Sequence, residues 1–208
     1  MVSFERARRA HVQDDDGDSM KSARTESHRW QREMHQLQQA FIDLKRQSSL
    51  QERFFEVART NPRLKHNPFP LCIKMWYGYY SSICIRRLCD RDKNAVSLVR
   101  LLVEIGSARE LRTVFGGKLD KAGLVRDIAA ILMITKREKD FVDQAIAHTD
   151  RRRTDRLKDP TFNDVRRTVD ALEPIVRRYC DLFNLHVPLD PKLPPDWDEV
   201  FAFPWAVS

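Results

Sequence analysis

Hydrophobic residues recur along much of the chain at spacings of three and four, which is the period of an amphipathic α-helix. The clearest stripe predicts a first helix over residues 27–47 and consists of Trp30, Met34, Leu37, Phe41 and Leu44. Such a stripe is typical of a core or of a helix-pairing surface. Beyond it the phase is interrupted, and Ser49 with Glu52 forms a capping-box pattern that predicts a second helix through about Ala58.

An aromatic-rich segment follows a loop predicted by the prolines of residues 61–70. Residues 71–89 contain the run Met75-Trp-Tyr-Gly-Tyr-Tyr80 and further aliphatic residues towards Leu88. Because apolar residues surround this helix on nearly all sides, the pattern predicts a central, buried position. The alternative is that the aromatic run stacks nucleic-acid bases.

Three more helices are predicted in the second half. Residues 95–105 give a short amphipathic helix closed by Gly106. Asp120 is the expected N-cap of a long helix that continues to about His148. Thr161 and Asp164 form the capping pattern of the last helix, in which Pro174 predicts a kink or a division.

The two ends of the chain have different compositions. Residues 1–21 are charged and poor in apolar residues, so we predict a disordered tail before a domain of residues 22–208, with translation from Met1 or from Met20. Residues 186–208 are rich in proline and predict an extended strap that packs on the helices through four aromatic anchors: Trp197, Phe201, Phe203 and Trp205. Together these elements predict an all-α, single-domain bundle of about five to seven helices, with at least two long helices antiparallel.

Charge and composition bear on partners and location. The chain has 37 Lys and Arg residues against 30 Asp and Glu, and the net charge of +7 suits a polyanion such as RNA. A generic basic surface explains the same excess. No apolar run approaches the roughly 20 residues of a membrane span, and the N-terminus has no signal-peptide core, so we expect a cytoplasmic protein without membrane contact.

The four cysteines do not indicate a metal site. They lack the CxxC or Cys/His spacing of a zinc site and lie among apolar residues, so we expect reduced core residues and no cofactor. These are Cys72, Cys84, Cys89 and Cys180.

The candidate chemistry lies in residues 141–153. His148 and Asp150 are followed by three arginines, Arg151, Arg152 and Arg153. An imidazole titrates near neutral pH and serves as a general base, Asp150 can orient it, and guanidinium groups bind phosphate. The alternative is structural, because His and Arg at a helix C-terminus interact with its last carbonyls.

A second group of charged residues closes the aromatic-rich helix. Arg86 and Arg87 precede Asp90 and Asp92. One interpretation places an arginine of this group beside His148 as a phosphate contact. The other is an Arg–Asp ion pair that ends the helix.

These motifs resemble those of the HEPN superfamily. The resemblance runs over residues 25–205 and rests on the segments 86–90, 97–102 and 146–150 and on the pairs Asp196-Trp197 and Pro204-Trp205. The most similar branch is the abortive-infection, AbiU2-like one. It implies a helical homodimer in a bacterial defence or toxin–antitoxin system, with RNA and a cognate antitoxin or defence partner as binding partners. In active members of the superfamily a metal-independent ribonuclease site forms at the dimer cleft.

The family's active-site motif is an Arg, four to six residues and then a His, in which the Arg binds the scissile phosphate. Here the corresponding positions before His148 are Phe141, Val142 and Asp143, and the nearest upstream arginine, Arg137, lies about three helical turns away. The sequence therefore leaves three hypotheses. The protein is an RNA-binding ribonuclease with a degenerate motif, a non-catalytic helical dimer that binds a partner, or a small helical regulator unrelated to this superfamily.

Overall fold

The regular elements in the described part of the chain are all helical. The computed structural model describes residues 3–65, 67–108, 115, 117–146 and 159–185, and the side chains among them from Thr25 to Gln144 and from Asp159 to Leu185, apart from residues 63 and 65. The helices are α1 (Ser3–Thr60), α2 (Pro62–Lys65), α3 (Phe69–Leu88), α4 (Leu98–Ser107), α5 (Lys121–Ile134), α6 (Lys136–Phe141), a π-helical turn (Val142–Ile146) and α7 (Phe162–Leu182). The predicted all-α bundle is confirmed.

Helix α1 runs without a break through the predicted capping box at Ser49, so the division into two helices was wrong. The apolar phase is in fact kept, because Phe54 and Ala58 are buried in register with Leu44. Two positions of the stripe after Leu44 are polar: Ser48, one turn further on, and Gln51, which is buried. These polar residues therefore interrupt the apolar stripe without ending the helix.

The helical backbone of α1 also includes residues 3–21, for which composition predicts a disordered tail. Adding residues to an existing helix requires no new nucleus, so a segment with few apolar residues can extend a packed one. Whether residues 1–21 are separate from the domain of residues 22–208 stays a prediction.

The long helices pack antiparallel, as predicted. The α1–α7 pair is marked by an ion pair of 2.7 Å from Lys45 to Glu173 and one of 3.1 Å from Arg166 to Glu52. From the first ion pair to the second, the residue number rises along α1 and falls along α7, so the two helices run in opposite directions. The predicted stripe of α1 faces this core, with Trp30, Phe41 and Leu44 at most 1% exposed.

Helix α3 differs from its predicted central position. Its buried side carries the small residues Gly78, Ser81 and Ser82, which allow close packing, as at Gly78 beside the Pro160 carbonyl. The large residues Trp76 and Tyr80 point the other way and are 68% and 53% exposed. Core packing of the aromatic run was therefore wrong for these residues, and the reason is that the neighbouring helices cover only one side of α3.

The four cysteines also differ in how deeply they are buried. Cys89 and Cys180 are buried as predicted, Cys84 is half-buried, and Cys72 is exposed on α3, which corrects its assignment to the core. All four are free thiols.

The predicted long helix from Asp120 is interrupted. Asp120 is the N-cap, and its carboxylate accepts the backbone N–H groups of Ala122 and Gly123 at 3.0 Å. The helix then breaks at Thr135, whose hydroxyl donates to the Ile131 carbonyl, and it changes to π geometry at Val142. Such hydroxyl bonds to the preceding turn bend helices, and π turns are frequent at functional sites.

Helix α7 begins at the predicted capping box of Thr161 and Asp164. Pro174 lies inside one continuous helix, so the predicted division does not occur. The C-terminal strap of residues 186–208 and its four aromatic anchors lie outside the described residues.

Candidate functional site

The π turn after α6 brings Asp143 against helix α3. Tyr79 of α3 packs on Phe141 with ring centroids 5.3 Å apart, which fixes this side of α3 on the turn. Two turns further along α3, the Arg86 Nε atom donates to an Asp143 carboxylate oxygen at 2.5 Å. An arginine therefore lies beside position 143, which is one of the three positions where the HEPN motif that the sequence resembles can have its arginine.

Arg86 and Asp143 belong to a four-residue ion-pair network. Arg86 also pairs with a second carboxylate, that of Asp90, which lies 2.7 Å from its Nη1 atom. Lys139 binds the other carboxylate oxygen of Asp143 at 2.5 Å. The predicted Arg–Asp pair at the end of α3 is thus present. Two cations and two carboxylates make the network neutral overall.

The network shifts the ionisation of its members. Burial raises the pKa of Asp143, but hydrogen bonds from Lys139 and Arg86 outweigh burial, so the pKa lies below its ordinary value. The hydrogen bond to Asp143 raises the pKa of Arg86 further above its already high value. Both groups are therefore charged at neutral pH.

Asp90 also anchors the site to helix α4. Its backbone carbonyl accepts the hydroxyl of Ser97, and the Ser97 oxygen in turn accepts the Arg100 backbone N–H at 3.1 Å as the N-cap of α4. This chain of bonds fixes the loop after α3. The position of Arg86 is consequently defined by α3, α4 and the π turn together.

Arg87 does not join this network. Successive residues on a helix point about 100° apart, so Arg87 faces a groove between α1 and α3 that is also lined by Asp43, Cys84 and Val96. Its side chain is exposed. The structure therefore separates the two arginines that the sequence placed in one candidate group.

The other predicted site residues, His148, Asp150, Arg151, Arg152 and Arg153, lie outside the described residues. Their catalytic and phosphate-binding roles stay predictions, as does phosphate binding by Arg86 and Arg87.

Sequence reasoning missed a buried acid next to the site. Glu138 of α6 is 1% exposed and accepts a hydrogen bond of 2.9 Å from Thr168 of α7, and its other oxygen has no hydrogen-bond partner among the described residues. Burial raises its pKa. A signal was available, because Glu138 follows the buried Leu124 and Ile131 at intervals of seven.

Cys89 lies against the same acid at the end of α3. Burial raises the pKa of its thiol to about 12, and a hydrogen bond with Thr135 only partly opposes this. A thiol with so high a pKa is protonated at neutral pH and is a poor nucleophile. Cys89 is therefore a packing residue.

The part of the chain that the structure describes contains no group of three or more His, Cys, Asp or Glu residues placed to hold a metal ion. Among the described helices, none has both the length and the apolar character needed to cross a membrane.

The described helices define an α-helical bundle with a π turn at residues 142–146. The chain belongs to the AbiU2 family of HEPN proteins, since that family's model (HEPN_AbiU2, described as AbiU2) matches residues 27–201. It is accordingly a HEPN protein related to abortive infection. Neither a curated protein nor a solved structure matches the chain.

Proposed function

We propose that this protein is an RNA-binding, metal-independent ribonuclease of a bacterial defence or toxin–antitoxin system, in which Arg86 replaces the missing motif arginine. The proposal rests on one observation, the 2.5 Å hydrogen bond between Arg86 Nε and Asp143. Asp143 stands at a motif position, with four residues between it and His148. A guanidinium group is therefore available beside that position, although it comes from another helix.

Arg86 has N–H donors that its two ion pairs do not use and that could bind a phosphate. A guanidinium group has five N–H donors, and the two ion pairs use one on Nε and one on Nη1. The side chain is 31% exposed, so the remaining donors have access to solvent. A phosphate group would bind them by charge-assisted hydrogen bonds, with His148 as the base that activates the RNA 2′-hydroxyl.

Asp143 is the main argument against strong activity. Its carboxylate occupies the side of Arg86 nearest the motif and repels a phosphate at short range. The network neutralises both cations, so RNA must compete with Asp143 for Arg86. We therefore expect weaker cleavage than an intact motif would give.

The test is incubation of the purified protein with total RNA in excess chelator. The wild type should cleave, His148→Ala should lose cleavage, and Arg86→Lys should keep the positive charge but lose most activity because Lys has no planar fork. Arg177→Ala is the control, since Arg177 is exposed on α7 and, among the described residues, pairs with Glu173 of its own helix. Cleavage that survives in His148→Ala would refute the assignment.

A second function is favoured by a different observation. Arg86 is held by two carboxylates, and α3 exposes a large apolar face, both of which suit a non-catalytic dimer that binds a cognate antitoxin or another defence partner. In that case the wild type leaves RNA intact. Its stable association with itself or with another protein would then be the activity to measure.

A further inference from the structure

A pocket between α1 and α3 has two chemically different walls. We call it the aromatic pocket, and its volume of about 380 Å³ lies in the range of small-molecule sites, about 300–1,000 Å³. Its α1 wall carries Gln47 and Gln51, and its α3 wall carries Trp76, Tyr77 and Tyr80. None of the described residues that line it is charged, so the pocket suits an uncharged, partly apolar group.

The α3 wall offers aromatic surface for stacking. Trp76 and Tyr80 are one helical turn apart and more than half exposed, so ring surface on both is open to a ligand. Tyr77 is buried and packs on Phe162 of α7 with ring centroids 5.4 Å apart, which fixes the inner part of the wall. Open aromatic rings of this kind stack the bases of single-stranded nucleic acids.

The α1 wall offers side-chain amides that lack other partners. Gln51 is 7% exposed, and its Nε2 atom has no hydrogen-bond partner among the described residues. Gln47 lies one turn earlier on the same face of α1, and no described residue hydrogen bonds its side chain. A buried amide without a partner is unfavourable, and the last torsion of glutamine is soft, so the Gln51 amide can turn towards a group bound in the pocket.

Amides facing aromatic rings are suited to a nucleobase. A base is planar and uncharged, and its edge carries both donors and acceptors. A glutamine amide also has both, and it pairs at two points with adenine. An aliphatic ligand would leave the Gln51 amide unpaired, and a phosphate alone would find no cation in the pocket.

A cation for the phosphate of the same nucleotide lies next to the pocket. Gln47 and Tyr80 also line the groove that Arg87 faces, so the two cavities are adjacent. Arg87 follows Tyr80 by about two turns, or about 10 Å along α3, and helical side chains lean towards the N-terminus, here towards Tyr80. Arg87 makes no ion pair among the described residues. Asp43 lines the same groove but pairs with Arg46 at 3.0 Å.

We infer that the aromatic pocket binds one nucleobase, adenine by preference, and that Arg87 binds the phosphate of the same nucleotide. Trp76 and Tyr80 stack the base, and the glutamine amides bind its edge. The nucleotide comes from single-stranded RNA or is free, since the chemistry of recognition is the same. The RNA source rests on the proposed function. The pocket itself is separate from the network around Arg86, because Arg86 and Arg87 face different sides of α3.

Isothermal titration calorimetry of the full chain tests the inference with two probes, AMP and a short oligoadenylate whose 2′-hydroxyls are methylated. Methylation removes the nucleophile, so cleavage does not disturb the measurement. The wild type should bind, and Gln51→Leu and Trp76→Ala should each weaken binding by about tenfold or more. Because Gln51→Leu removes a buried amide without a partner, it should not lower the free energy of unfolding, which separates lost binding from misfolding.

Arg87→Gln tests the phosphate contact separately. It should weaken binding of AMP by about tenfold and leave binding of adenosine, which has no phosphate, nearly unchanged. Arg126→Gln is the matched control, since Arg126 is an exposed arginine on α5 that lines neither cavity and should change neither affinity. Equal effects of Arg87→Gln on AMP and adenosine would overturn the assignment of Arg87 to the phosphate.

The possible results separate the explanations. If the oligoadenylate binds more tightly than AMP, the nucleotide comes from RNA, and if the two bind equally, the ligand is a free nucleotide. Absence of binding by both probes overturns the inference, whatever the RNA assay shows, and so does binding that Gln51→Leu and Trp76→Ala leave unchanged. A protein that binds the probes but does not cleave unmethylated RNA refutes the ribonuclease proposal alone.

Discussion

A single carboxylate controls the charge of the candidate site. Asp143 binds both Arg86 and Lys139, so Asp143→Asn leaves the network with one net positive charge. We expect the variant to bind RNA about fivefold more tightly at low salt, by about 1 kcal/mol for the removed charge, and less so as salt rises. Fluorescence anisotropy at two salt concentrations measures this.

Asp140→Asn is the control for that effect, because Asp140 lies in α6, one turn before Asp143, and pairs with the exposed Lys136. If both variants strengthen binding equally, the gain comes from overall charge and Arg86 has no special position. The structure also argues against introducing arginine at Val142, since that side chain is 5% exposed and a buried charge would destabilise the turn.

The buried acid Glu138 should make the stability of the fold depend on pH. The sign is opposite to that expected for Asp143, whose pKa is lowered. The folded pKa of Glu138 is raised, so the stability it contributes is complete below its ordinary pKa and is lost as pH rises through the folded value. Glu138→Gln should therefore raise the free energy of unfolding by about 1 kcal/mol at pH 7 and change it little at pH 4. Urea unfolding at the two pH values provides the measurement, and an equal effect at both would contradict the explanation.

At the scale of elements, caps and stripes were predictable because their signals are local. The Thr161–Asp164 box and the Asp120 cap depend only on residues within one turn, and the α1 stripe from Trp30 to Leu44 depends only on spacing. The break at Thr135 and the π turn were not predictable, since both depend on what packs against the helix. The same holds for the contact between Arg86 and Asp143, which are 57 residues apart in sequence.

The capping box of α7 gives a prediction at this scale. Thr161 accepts the Asp164 backbone N–H, so Thr161→Ala should lower the free energy of unfolding by about 1 kcal/mol through loss of the N-cap. Thr60→Ala is the matched control, because the Thr60 hydroxyl bonds carbonyls within its own helix and caps no N-terminus. Chemical denaturation of the three proteins compares them directly, and equal losses would show that the cap is not stabilising.

At the scale of the whole molecule, the sequence predicts the fold class correctly but does not predict which apolar residues lie on the surface. The helical periodicity of the chain is enough to predict an all-α bundle. It does not reveal which side of an apolar helix is covered, and for α3 the covered side is the one with Gly78 and Ser82. Trp76 and Tyr80 were assigned to the core because hydrophobicity was counted without the neighbours that bury it.

The N-terminal part of α1 provides the last prediction. The first fully buried side chain among those described is Trp30, so a chain that begins at Met20 keeps every buried contact of the described core. It should unfold with the same free energy and the same denaturant dependence as the full chain, because the surface exposed on unfolding is nearly unchanged. A chain that begins at Gln36 loses Trp30 and Met34 and should not fold stably, which makes it the control. A lower free energy of unfolding for the chain from Met20 would show that residues 1–19 pack on the domain, and the predicted boundary near residue 21 would then be wrong.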